Sequence, residues 1–323
     1  MRLSIERLTS EARSTGYRPE ILEKVIHLLS LLDLLNTHPQ LRGKLALKGG
    51  TALNLFLLDV PRLSVDIDLN YVGCVDKEGM EADRPKIEQA ITAICSREGY
   101  RITRSPSDHA GGKYNLSYRS VVTPTGVLQL DINYMYRVPL FTVTPMDSCS
   151  VGSYSVVGVP VMDIHEILAG KLAALFSRHA GRDLYDAHRL LTFDLLDVEK
   201  LRLAFVVYGA INREDWRKIT VDNVGFDVRE LESQLIPVLS CKALAKIEDR
   251  YTWAKRLVDE CRERLSIILP LRKTEMDFLD QLLDAGEIRA DLLTDDPELI
   301  EAISKHPGLL WKALNVKNYR FRG

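Results

Sequence analysis

The sequence predicts an α+β (α/β) fold, a mixed sheet with flanking helices followed by an all-helical C-terminal lobe. Three observations carry this expectation. An apolar run, a diglycine and an alternating stretch succeed one another within residues 45–72. Strand-like segments follow at residues 100–105, 114–122 and 127–134, and from about residue 195 strand signals nearly vanish. The expected division is a sheet-bearing domain over residues 1–195, with its core at 40–160 and two helices at 163–192, and a helical domain over 196–323. The chain has 323 residues, 46% hydrophobic and 27% charged, which is ordinary for a globular protein with a large core.

Residues 19–36 are leucine-rich, with Pro19 suited to a first helical turn and Pro39 just past the end, and read as a scaffold helix. Leu45-Ala46-Leu47-Lys48 reads as a strand that runs into Gly49-Gly50, and Thr51 opens a short buried helix over residues 52–58. After a loop holding Pro61 comes Val65-Asp66-Ile67-Asp68-Leu69-Asn70, a strict alternation. Successive strand side chains point to opposite faces, so Asp66 and Asp68 share one face and Val65, Ile67 and Leu69 line the other. Two carboxylates roughly 7 Å apart on one face repel each other, and a divalent cation rewards that placement. Only glycine lets a backbone pass close to a ligand and turn straight into a helix, whose amides cradle an anion such as phosphate. A Gly-Gly alone is more often a tight turn. Within twenty residues of a D-x-D strand it reads as half of a site.

Residues 83–98 read as an amphipathic helix with Pro85 in its first turn. The three strand-like segments after it are separated by Gly111-Gly112 and Pro124-Thr125-Gly126 turns, a meander that widens the sheet. In the last, Asp131 is the one acid among β-formers. It is either a solvated edge carboxylate or a third metal ligand beside D-x-D, and the second reading is favoured. Residues 150–161 suggest two short strands ending at Pro160.

Asp163 and Glu166 have capping-box spacing and launch a helix over residues 164–177. Lys171, Ala174 and Arg178 share one of its faces, which without further information reads as a solvated basic face. Gly181 is expected to break it. Asp183 and Asp186 then lie three apart in the first turn of another helix, where acids commonly serve the helix dipole, with Arg182 or Arg189 as ion-pair mates. His165, His179 and His188 lack metal-ligand spacing and read as surface or capping groups. Helices are expected at 198–208, 227–235, 242–265, 275–285 and 297–304. In the tail, Lys317, Arg320 and Arg322 interleave with Tyr319 and Phe321, a pattern that fits stacking and charge neutralisation of single-stranded RNA or a plain solvated end.

Gly49-Gly50-Thr51 followed by Arg62, Ser64, Asp66 and Asp68 resembles the signature of the polymerase-β-like nucleotidyltransferase superfamily. Within it the chain resembles the abortive-infection AbiEii family of nucleotidyltransferase toxins, which includes the MenT toxins. Lys171 and Arg182-Asp183-Leu184-Tyr185-Asp186 match that family's downstream lysine and R-D-x-x-D element. The likeness spans residues 20–195. Many members have Gly-Ser where this chain has Gly49-Gly50.

The resemblance implies a polymerase-β-like core and transfer of a nucleotide from an NTP to the 3′ end of tRNA, a toxin's chemistry held in check by a separately encoded antitoxin. It implies catalytic roles for Asp66, Asp68, Lys171 and Asp183, with Mg²⁺ held by Asp66, Asp68 and Asp131. It also implies nucleotide contacts from Lys48, Gly49, Gly50, Thr51, Ser64 and Arg178. Mg²⁺ suits such a set, because it takes a few carboxylates together with waters and phosphates. Two other readings stay open. Transfer to a small-molecule hydroxyl, as on an antibiotic, predicts a labelled compound and unlabelled RNA. A nucleotide-sensing regulator without chemistry predicts NTP binding and no product.

Net charge is −2 and the pI is near 6.4, which excludes capture of nucleic acid by bulk charge and leaves local patches to hold it. The five cysteines are scattered without a C-x-x-C pair, residues 1–14 lack a signal-peptide core, and no stretch approaches the roughly 20 apolar residues of a membrane span. A cytoplasmic protein with no membrane partner is expected.

Overall fold

Burial of one apolar face per element fixes the architecture of the computed structural model, which describes residues 3–104, 110–193 and 196–320, the side chains of Arg104 and Arg320 excepted. Two compact units divide the chain. The sheet unit holds residues 1–137, 142–162 and 236–247, and the helical unit holds 138–141, 163–235 and 248–323.

The sheet unit begins with helices α1 (Ile5–Thr15) and α2 (Pro19–Thr37). Leucines at 22, 28, 29, 31, 32 and 35 of α2 are all buried, and the helix packs across the sheet. Strand β1 (Leu45–Lys48) turns through Gly49 into α3 (Gly49–Ala52), which continues as a π turn over Leu53–Leu57. Strand β2 (Asp66–Tyr71) returns antiparallel to β1. Helix α4 (Lys77–Arg97) leads to β3 (Arg101–Arg104), β4 (Gly111–Tyr118) and β5 (Gly126–Asn133), followed by β6 (Thr144–Met146) and β7 (Val159–Val161). The seven strands lie in the order β3-β4-β5-β2-β1-β7-β6. The β5–β2 and β2–β1 pairs are parallel and antiparallel respectively, so the sheet is mixed as expected. Buried Ile67, Leu69, Leu128, Leu130 and Ile132 form the inward face of its centre.

The helical unit starts with α5 (Ile164–Arg178), α6 (Gly181–Leu191) and α7 (Val198–Ile211). Helix α5 packs on both α6 and α7, and residues 163–192 group with the helical unit by these contacts. The core centres on fully buried Trp216, whose ring centroid lies 5.6 Å from Phe176 and 5.0 Å from Phe205. Among the described residues this unit has no strand.

Several local expectations are corrected. Helix α4 starts at Lys77 rather than 83, because the Asp76 side chain accepts from Gly79 N–H and extends the helix backwards past an interior Pro85. Residues 151–154 form a single bridge, and β7 pairs with β1 on one side and β6 on the other. Glu166 makes no capping box: it is buried and accepts the Phe141 N–H and the Tyr208 hydroxyl, each at 3.0 Å, while Asp163 caps through His165 N–H. The turn after α5 is made by His179 at φ 53°, and Gly181 opens α6, where a Cβ would meet the Leu231 backbone at 2.9 Å. His165 is buried and bonded to Asp163 and to Asp197 N–H, so it is no surface group.

The helix expected over 242–265 is two, Cys241–Leu244 in the sheet unit and Arg250–Leu265 in the helical unit, the second capped by Asp249. A helix over Pro307–Arg320 occupies most of the expected tail; Phe321 and Arg322 lie outside the described residues.

Candidate active site

One row of residues crosses four strands of the sheet unit. In β2 the D-x-D alternation puts Asp66 and Asp68 at half-exposed positions on either side of buried Ile67. The backbone register pairs Asp68 with Lys48 of β1 on one side and with Asp131 of β5 on the other, and Asp131 with Lys113 of β4. Lys48, Asp68, Asp131 and Lys113 therefore lie side by side, two cations flanking two carboxylates. The parallel pairing of β2 with β5 is what brings Asp131 level with Asp68.

The turn between β1 and α3 closes one end of this row. Gly49 adopts φ +70°, and a Cβ built on it would lie 2.5 Å from Asp68 Oδ2. Both facts require glycine. Thr51 is fully buried and its hydroxyl donates to the Asp66 carbonyl at 2.5 Å, which ties the helix start to the D-x-D strand. That hydroxyl is engaged with the backbone. Lys48 Nζ lies 5.6 Å from the centroid of the Tyr136 ring, a cation–π contact that orients it. Ser64 and Arg62 are buried in the segment leading into β2, Arg62 donating to the Leu63 carbonyl at 2.8 Å.

Burial, and after it the Asp68 charge, pushes the Asp131 carboxyl above its ordinary value against the pull of Lys48 and Lys113. A carboxylate whose charged form is disfavoured by a neighbouring carboxylate gains from a cation. Among the described residues, no group of three or more His, Cys, Asp and Glu side chains is placed so that it could hold a metal ion. Mg²⁺ binds through one or two carboxylates with the remaining positions filled by waters and phosphates. Asp68 and Asp131, side by side on neighbouring strands, are hard-oxygen donors of the kind Mg²⁺ takes in such a partial shell, while Asp66, Asp68 and Asp131 together do not form a three-carboxylate metal group.

The helical unit carries its own charged cluster. Lys171 Nζ lies 3.1 Å from Asp183 and 2.8 Å from Asp186, and is 12% exposed. This is a buried network rather than the solvated face the helix periodicity offers. Arg178 directs Nε and Nη2 to Asp183 Oδ2, both at 2.7 Å, and its side chain is 65% exposed. Burial raises the Asp183 carboxyl, but Lys171 and Arg178 outweigh it and hold it below its ordinary value. Asp183 and Asp186 are buried, so both act on the cations that they touch.

Sequence reasoning gave Asp186 to the helix dipole; its i, i+3 spacing from Asp183 was the signal that both carboxylates could face one lysine. Lys113 was missed, because its place beside Asp131 depends on strand register.

The profile of the family described as "Nucleotidyl transferase AbiEii toxin, Type IV TA system" matches residues 31–260. No curated protein matches the sequence. Among solved structures the chain resembles MenT4, a nucleotidyltransferase toxin from Mycobacterium tuberculosis H37Rv, at 15% identity and a TM-score of 0.57, over 96% of this chain and 99% of that one, which is a likeness of fold. The diglycine turn and D-x-D strand lie inside the matched span, and the chain belongs to the AbiEii family of nucleotidyltransferase toxins of type IV toxin–antitoxin systems.

Proposed function

We propose that this nucleotidyltransferase moves an NMP from an NTP to the 3′ end of tRNA, with Mg²⁺ held at Asp66, Asp68 and Asp131, in the cytoplasm and under control of a separately encoded antitoxin. The observation that supports this most is the register that sets Asp68 between Lys48 and Asp131 with Gly49 packed against its carboxylate.

In this reading the Gly49 and Gly50 amides bind the β- and γ-phosphates, and Lys48 and Ser64 donate to phosphate oxygens. Gly49 leaves room for the backbone to approach. Asp66, Asp68 and Asp131 would hold Mg²⁺, which when bound would neutralise charge on the phosphates and leaving pyrophosphate and lower the pKa of the attacking hydroxyl. The acceptor oxygen forms a bond to the α-phosphorus as the bond to pyrophosphate breaks. Asp183 and Asp186 position Lys171, and Arg178 is the more exposed of the two cations they hold, as recognition of an anionic ligand requires. The family's R-D-x-x-D element supports nucleotide roles for Lys171 and Arg178 and a positioning role for Asp183.

The test is incubation with each of four α-³²P-labelled NTPs, Mg²⁺ and total tRNA, beside tRNA whose 3′ ribose has been oxidised by periodate. Label on intact tRNA and none on oxidised tRNA is expected. Label on a small-molecule hydroxyl with RNA blank overturns the RNA acceptor, and NTP binding without any product overturns the transfer.

A further inference from the structure

The helical unit carries a second surface that the transfer chemistry leaves unused. Its last described helix, Pro307–Arg320, buries Leu309 and Ala313 but leaves Trp311 52% and Tyr319 85% exposed. Over residues 302–320 the sequence holds Lys305, Lys312, Lys317 and Arg320 and no aspartate or glutamate, in a chain of 43 basic and 45 acidic residues. The charge is thus concentrated where the rings are exposed.

Beside this helix opens a cleft of about 670 Å³, lined by Asn212, Arg213, Trp311, Lys312, Asn315 and Tyr319 among others. Sites of roughly 300–1,000 Å³ take groups the size of a small ligand. Lys312 Nζ donates to the Asn212 carbonyl at 2.6 Å and fixes the end of α7 against the helix. The lining contains one acid, Asp284, and it accepts from Arg217 at 2.8 Å.

We propose that this cleft binds single-stranded RNA, with bases stacked on Trp311 and Tyr319 and the backbone met by Arg213 and Lys317, so that it anchors the acceptor RNA. The role as an anchor rests on the RNA-acceptor reading above. Charge complementarity identifies a polyanion, and two exposed rings beside the Asn315 side-chain amide identify bases. Every base offers a π-face, and the Asn315 amide in the cleft lining supplies a donor and an acceptor for an exposed base edge. An acidic protein would use the cations equally well but would be expected to cover the exposed Leu310 and Leu314, which do not line the cleft.

The experiment measures binding of a fluorescein-labelled mixed-sequence RNA decamer to the full chain by anisotropy, for the unaltered protein, the double variant Trp311→Ala/Tyr319→Ala, and Lys317→Gln. The double variant is expected to bind at least tenfold more weakly. Lys317→Gln is expected to lower the slope of log affinity against log salt by about 0.7, the value for one phosphate contact on a single strand. Unchanged RNA affinity in the double variant overturns the proposal. A protein that binds the decamer through these rings yet labels no RNA with any NTP overturns the tRNA-transfer reading and leaves the RNA site standing. A protein that labels tRNA while the double variant binds RNA normally does the reverse.

Discussion

A Cβ on Gly49 would lie 2.5 Å from Asp68 Oδ2, so the diglycine and the D-x-D strand are two halves of one fitted contact. Gly49→Ala must displace the Asp68 carboxylate or the turn, and must also hold alanine at φ +70°. Transfer is expected to fall about 100-fold, the scale of a 1 Å misplacement at a reacting centre, with a loss of about 1–2 kcal/mol in stability. Steady-state kinetics beside urea unfolding checks both.

Thr51 offers a finer test of the same turn. Thr51→Val removes the donor to the Asp66 carbonyl, whereas Thr51→Ser keeps it. The valine variant is expected to lose about 1–3 kcal/mol in urea unfolding and the serine variant less than half of that. Equal losses would show that the methyl group, not the hydroxyl, holds the turn.

Lys171 lies between two buried carboxylates, and its removal leaves both without it. Lys171→Met is expected to destabilise the protein by about 3–5 kcal/mol. Adding Asp183→Asn and Asp186→Asn is expected to recover most of that loss while activity stays low. A stable, inactive Lys171→Met would show that the lysine serves the ligand alone.

Glu166 gives a pH signature. Burial pushes its carboxyl up from 4.5 to about 7, against the hydrogen bonds from the Phe141 backbone and the Tyr208 hydroxyl. The folded value is the higher one, so the contribution to stability is fully present below about 4.5 and is lost as pH rises through about 7. Melting temperature is expected to fall across that window in the unaltered protein and to fall less in Glu166→Gln.

Much of the fold and of the sheet half of the site was legible in the sequence, for local reasons. Alternation placed Asp66 and Asp68 on one face, and the glycine pair announced a turn that only glycine makes. Asp131 was legible as a lone acid in a strand, but its level with Asp68 comes from a parallel pairing that periodicity does not encode. The same limit hid Lys113. Lys171 looked solvated because a helical face says nothing about what packs on it, and α6 supplies the two carboxylates that bury it. The capping-box spacing of Glu166 misled because the tertiary partners Phe141 and Tyr208 outcompete a local bond.

The most direct measurement of the central claim is pyrophosphate release from NTP in the presence of Mg²⁺ and tRNA by Asp68→Asn, with its melting curve recorded beside that of the unaltered protein. With Asp68 as a ligand-binding carboxylate of the transfer site, release falls by about 100-fold or more and the melting temperature holds or rises, because a repulsive charge beside Asp131 is gone. Release at the unaltered rate, or a variant that unfolds, would contradict it and make Asp68 a structural residue of the sheet.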